Sequence, residues 1–385
     1  MSGSNLCTPV PRSHDHVSAL VDLVQKRAET QSVKSSRAHS SIKMTAASLA
    51  IVSQSGESLS FFDLATGLRT AQITSLPAEP HDLAHDTKKN LLYISHTYRH
   101  GHYFAHGDIC HEVSVVDVEA KKLVKSIDIR PFGGPHGICI DLNTRLLYAT
   151  VETGFENGGG LIGISLDAHK VVKSIPSDGR AHWLTITPDG KKAYMSNMTS
   201  PFVSVLDLEK DVLLTKVKVT GSNQGTVSRD GKFAFIPTPS IQPMGLEIQP
   251  TIEVIDTATD KIVRSIKTDL GVSALHVTSR GAIIAAKYGF EKGADPTALK
   301  AQAGRLEILD EVTFERVGEV ESGLFPLSLL SSPDGKIGFA ANVFGGTVTV
   351  VDLVKMKVIK TLDVDTTRKG DKKFHQGAHG MVYLA

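Results

Sequence analysis

Residues Ala181–Asn197 read AHWLTITPDGKKAYMSN, an apolar run, a Pro-Asp-Gly turn and a second apolar run. Pro presets the turn dihedral and Gly takes the position that needs a positive φ, so this stretch is a β-hairpin. Five relatives of it follow the same plan: PHDLAHDTKKNLLYISH (Pro80–His96), PHGICIDLNTRLLYATV (Pro135–Val151), NQGTVSRDGKFAFIPT (Asn223–Thr238), SALHVTSRGAIIAAKY (Ser273–Tyr288) and LSLLSSPDGKIGFAAN (Leu327–Asn342). Each is followed by a second hairpin, of which FVSVLDLEKDVLLTKV and VTVVDLVKMKVIKTL are examples. Four strands at a period of about 50 residues mark a β-propeller blade.

The chain ends complete the count. SLAIVSQ, ESLSFFDLATG and LRTAQIT supply the last three strands of a blade near the N-terminus, and GAHGMVYLA supplies a first strand at the C-terminus. Joined, they make a seventh blade that closes the ring and leaves no open sheet edge. The expected fold is therefore all-β, a seven-bladed propeller over residues 47–385 with velcro closure of the two termini. Residues 1–46 differ: Val17, Leu20, Val21, Val24 and Ala28 fall at helical spacing and a Ser/Lys/His-rich stretch follows, predicting a short helical extension and a linker. In the outer hairpins Asp63, Asp117, Asp207, Asp256, Asp310 and Asp352, with Ser165 in the remaining blade, occupy one turn position, where short polar side chains cap their own backbone.

The strings PDGKKAYMSN, NTRLLYATV, KKNLLYISH and PDGKIGFAAN resemble the YVTN-type propeller repeat, whose mark is a Pro-Asp-Gly turn followed by a Tyr-Val-Thr-Asn-like strand. The resemblance covers about residues 47–385 and implies a lactonase-like seven-bladed propeller. Propellers of this kind include lactonising enzymes, lyases, electron-transfer partners and binding modules, so the architecture is implied more sharply than the activity. In general character the chain is also similar to propeller proteins of fungal secondary-metabolite pathways, some of which act as cyclases.

Composition narrows the partners. The chain carries 42 Lys+Arg against 41 Asp+Glu, a net charge of +1, which lacks the basic footprint of a nucleic-acid binder. No run approaches the roughly 20 apolar residues of a membrane span, and no secretory signal opens the chain. With only 3 Cys, a disulfide framework is not expected and a reducing cytoplasm is. A small-molecule substrate is the expected partner; oligomeric state is left open.

Histidine points to the site. The chain has 16 His in 385 residues, yet the position that begins each innermost strand holds His81, His136, His182, Asn223, Ser273, Leu327 and His379. Four of these seven are His, from four consecutive blades once the ring is closed, and such strands surround the channel mouth. Long insertions at Thr97–Glu112, Glu152–Gly160, Pro237–Pro250 and Tyr288–Gly304 all join the second and third strands of their blades, elaborating the same face. The expected acid/base or carbonyl-polarising groups are His136 and His182, with His81 and His379 completing the ring and Arg180 stabilising negative charge. Expected substrate contacts are His96, Arg99, His102, His106, Glu152, Trp183, Asn197, Lys287, Tyr288 and Asn342. No nucleophile elbow is present, and no regular zinc spacing occurs among His96–His111.

Three functions remain open on these residues. One is an enzyme acting on a small carbonyl-containing or cyclic metabolite by lactonase, isomerase or cyclase chemistry, needing no committed cofactor. The second is a metal-dependent enzyme with a divalent ion on the four-His ring. The third is a non-catalytic protein-interaction propeller, against which stands an aromatic content of 6%.

Overall fold

A computed structural model describes residues 47–385 apart from 75, 100, 103–104, 107, 198–199, 240–247, 292–299 and 368–374, and leaves out the side chains of 101–102, 105–106, 291 and 300. The expected N-terminal helix and linker, the side chains of His102 and His106, and most of the 237–250 insertion lie outside the described residues.

Seven four-stranded antiparallel sheets form the blades, and among the described residues there is no helix. Blade 1 joins the termini: Met381–Leu384 is its innermost strand, paired antiparallel to Ser48–Ser53 with Ile51 opposite Met381 and Ser48 opposite Leu384. The innermost strands of blades 2 to 7 are Pro80–Asp86, Gly133–Asp141, Ala181–Ile186, Thr226–Val227, Gly271–Val277 and Pro326–Ser331. The middle strands are covered on both faces by neighbouring blades, which is why they read as unbroken apolar runs such as LLYI and LAIV. The core accordingly lies between blades: Tyr93, Val113 and Val115 of blade 2 pack on Leu147, Ala149 and Ile162 of blade 3, and Leu49, Ile51 and Phe62 pack on Phe339, Val348 and Val350 across the closure.

The outer hairpins confirm the local turn chemistry. Asp117 Oδ1 accepts from Ala120 N at 2.8 Å, Asp207 Oδ1 from Lys210 N at 2.9 Å, and Ser165 Oγ from Ala168 N at 3.0 Å. The fourth residue after each such side chain has a positive φ, from Gly67 at 77° through Lys121 at 51° to Met356 at 50°, and the register of the outer strand pair shifts beside it. This is a four-residue hairpin loop that ends in an αL residue beside a bulge, and it occupies every acidic turn position with a structural task.

Two devices hold adjacent blades at the axis. Hydroxyls near the ends of the second strands of blades 2, 3 and 4 donate to a carbonyl in or just before the next innermost strand: Ser95 Oγ to His136 O at 2.6 Å, Thr150 Oγ1 to His182 O at 2.7 Å and Ser196 Oγ to Asn223 O at 2.6 Å. The residue after a ring histidine is glycine where the next strand crosses closest. A Cβ on Gly137 would lie 3.1 Å from His182 O, and one on Gly380 would lie 2.6 Å from Asp82 Cα and 2.7 Å from His81 O. The His-Gly steps of the sequence are thus backbone contacts between blades.

Because Gly380 meets the backbone of Asp82 and His81 and immediately precedes the closing strand, Gly380→Ala is expected to destabilise the fold by about 1–3 kcal/mol, read as a lowered urea midpoint. An unchanged midpoint contradicts this packing.

Candidate active site

The stitches above place four imidazoles round one point. His81 lies with its ring 4.5 Å from His136, 4.1 Å from His379 and 6.0 Å from His182, while His136 and His182 are 4.3 Å apart. All four are buried, as is Trp183, whose indole stacks on His379 at 6.1 Å and 17°. Trp183 is therefore a wall of the ring.

A hydrogen-bonded chain feeds into this cluster. Glu152, on the extended end of strand Leu146–Phe155, accepts from His136 Nε2 through Oε1 at 2.6 Å. The Tyr98 hydroxyl reaches both carboxylate oxygens of Glu152 at 2.7 Å and accepts from Arg180 Nη2 at 2.6 Å, and Arg180 also meets Glu152 Oε2 at 3.0 Å. Burial pushes the Glu152 carboxyl up, but the hydrogen bonds from His136 and Tyr98 and the charge of Arg180 outweigh it and hold the group well below the usual carboxylate range. Burial and the Glu152 charge push the Tyr98 hydroxyl far up, so it stays protonated and donates. An ionised Glu152 can only accept, so the proton between it and His136 sits on Nε2. In the neutral ring this leaves His136 Nδ1 as an acceptor, 3.2 Å from His81 Nε2 and 3.4 Å from Thr97 Oγ1. Burial, with the neighbouring His136 second, holds His182 well below its ordinary value and His379 down to about 3.

The structure thus gathers His81, His136, His182, His379, Glu152, Arg180 and Trp183. Tyr98 was missed; its only signal is a place at the end of a second strand, two residues beyond the repeat position. The 152–160 segment is a strand extension, with Phe155 paired to Gly158, and this extension is what carries Glu152 to the ring.

Other expected contacts belong elsewhere. His96, Asn197 and Asn342, expected on the pocket wall, clamp the second strand of their own blade to the third: His96 Nε2 to Ser114 Oγ at 2.8 Å, Asn197 Nδ2 to Ser204 Oγ at 3.1 Å and Asn342 Nδ2 to Thr349 Oγ1 at 2.9 Å. Two-sided polar groups there satisfy strand ends where the ladder opens into a loop. Arg99 pairs with Glu112 at 3.3 Å and lines a cleft of about 210 Å³ that includes Ser126 and Asp128 of the outer strand. Lys287 is buried in blade 6 among Asp269, Glu319 at 3.3 Å and Glu307 at 3.6 Å, its charge spent on that cluster. Tyr288 packs with Phe325 and Phe290.

No family model matches the chain. Antigen Lp49 of Leptospira interrogans is 26% identical over 212 residues, 52% of this chain and 43% of the antigen, so the match spans less than half of that relative's length. A functionally unknown protein from Desulfotomaculum acetoxidans superposes with a TM-score of 0.63 at 14% identity, covering 87% of this chain and 98% of that one. The periplasmic gluconolactonase of Pseudomonas aeruginosa gives a TM-score of 0.62 at 14% identity over 88% and 99% of the two chains. At such identities the likeness is one of fold: the chain is a seven-bladed β-propeller with gluconolactonase-like neighbours.

The neutral buried histidines make stability pH-dependent. His379 and His96 are both lowered to about 3 and His182 is also depressed, so below the unfolded value of about 6.5 the unfolded chain binds protons that the folded one refuses. Stability is full above that pH and falls as pH drops toward the folded values, by up to about 1.4 kcal/mol per pH unit for each group. The urea midpoint should fall clearly between pH 7 and pH 5, and the slope should be shallower in His379→Asn; a flat midpoint contradicts the burial of these rings.

Proposed function

We propose that this protein is an enzyme acting on a small carbonyl-containing or cyclic metabolite at the histidine ring, by lactonase, isomerase or cyclase-type chemistry. The observation that carries this reading is the buried chain Arg180–Tyr98–Glu152–His136–His81, drawn from three blades. A carboxylate that fixes one imidazole nitrogen leaves the other poised to accept a proton, the arrangement used in general base catalysis. A substrate carbonyl that replaces His136 Nδ1 as the acceptor of the His81 Nε2–H is polarised by it, and the dry surroundings strengthen each of these interactions. A cyclisation needs chiefly orientation and hydrogen bonding, which a ring of buried imidazoles and an indole wall supply without a nucleophile. The gluconolactonase neighbour makes lactone opening or closure the first reaction to try. In the same reading the substrate is a small molecule, the protein acts in the cytoplasm, and no nucleic acid or membrane is needed.

Turnover of glucono-1,5-lactone, a panel of aliphatic and aromatic lactones, and enone substrates able to close a ring tests the reading. On any substrate turned over, His136→Ala should lose about 10²–10⁴-fold in kcat/KM and Glu152→Gln should lose mainly kcat, whereas Arg99→Ala should match the parent. Equal activity of the parent and His136→Ala on every substrate overturns it.

A further inference from the structure

Three of the four ring histidines differ from the fourth. One donor nitrogen from each of His81, His136 and His182 lies within 4.8 Å of the others, all three residues being buried. His379 is outside that set, engaged with the His81 ring at 4.1 Å and stacked on Trp183. The separation of His81 Nε2 and His136 Nδ1 is 3.2 Å. Two nitrogens bound to one tetrahedral ion, each about 2.0–2.1 Å from it, stand about 3.3 Å apart, so this pair already has the spacing of a coordination edge.

The surroundings match a metal site in a second respect. A metal-binding histidine gives its far N–H to a carboxylate or carbonyl, which fixes the tautomer and raises the basicity of the ligating nitrogen. His136 does this with Glu152 at 2.6 Å, leaving Nδ1 on the side of His81. Both Glu152 oxygens are occupied by His136, Tyr98 and Arg180, so the carboxylate is an outer partner and not a ligand. The donors are imidazoles alone, a set that suits first-row transition ions and gives Mg²⁺ or Ca²⁺ none of the oxygens they require.

We infer that His81 Nε2, His136 Nδ1 and a ring nitrogen of His182 form a three-histidine site for a divalent transition ion such as Zn²⁺ or Co²⁺, with Glu152 orienting His136 and with His379 outside the coordination sphere. Binding moves the His81 ring proton from Nε2 to Nδ1, so that Nε2 offers its lone pair, and leaves at least one position for a ligand oxygen. The inference rests on the site proposed above and deepens it: with the ion bound, His81 Nε2 and His136 Nδ1 serve as ligands, and the ion takes over from their proton the task of polarising the substrate oxygen.

Titrating Co²⁺ and, separately, Zn²⁺ into the tag-free full chain after chelator treatment tests this without any substrate, by visible absorption for Co²⁺ and calorimetry for Zn²⁺. One ion per chain is expected. His81→Ala, His136→Ala and His182→Ala should each weaken binding by more than about 100-fold, Glu152→Gln by about 10–100-fold, and His379→Ala should leave affinity unchanged. His182→Asn, closer in size, serves if His182→Ala fails to show the parent's circular dichroism. Absence of saturable binding by the parent chain overturns the site, as does binding that survives in His136→Ala or is lost in a folded His379→Ala. Turnover by metal-free protein that takes up no ion overturns the metal and leaves the proposed enzyme standing; stoichiometric metal with no turnover of any substrate does the reverse.

Discussion

The backbone contact between neighbouring innermost strands is the constraint on which the rest of the molecule depends. Seven sheets meet at the axis, and where they crowd most the chain sets a glycine after the ring histidine and a hydroxyl on the neighbouring blade's second strand to tie the carbonyl. Gly137 admits His182 and Trp183, and Gly380 admits His81 and Asp82. A larger residue at either step pushes two blades apart. The same contact also delivers each ring histidine next to the one before it, so packing at the axis and assembly of the site are one event.

Once the histidines are crowded and dry, their electrostatics follow. Charging several imidazoles within 6 Å of one another is opposed by desolvation and mutual repulsion, which is why His182 and His379 stay neutral. The one anion in the group, Glu152, is tolerated because three donors surround it. Charge is therefore held at one edge of the ring, by Glu152 and Arg180, while His182 and His379 leave neutral nitrogens at its centre. Such a centre suits polarisation of a carbonyl and coordination of a metal alike, since both require lone pairs and mobile protons in a site of low dielectric.

Legibility in the sequence differed sharply between groups. The Pro-Asp-Gly turns, the capping Asp positions and the split blade were visible because hairpins are local and repeat. The four ring histidines were visible because alignment of the repeats stacks equivalent positions. His96, Asn197 and Asn342 stood out by the same alignment, yet one side-chain nitrogen of each bonds to the third strand of its own blade, and a strand-end position does not reveal which neighbour its side chain meets. Lys287 was equally opaque: a lone cation in sequence, it is neutralised by Glu307 and Glu319 on adjacent strands and Asp269 in a loop.

What the sequence determined by itself is periodic: blade number, the split blade that Met381–Leu384 completes and the residue type at each ring position, all legible because every blade repeats the same local hairpins. What the tertiary structure decided is the meeting of Tyr98, Glu152 and Arg180, which belong to different blades and share no spacing, and the division of the four histidines into a trio and an outlier. Those outcomes depend on how far one hairpin extends and on which way a side chain leaves its strand. Both are fixed only when neighbouring blades close against each other.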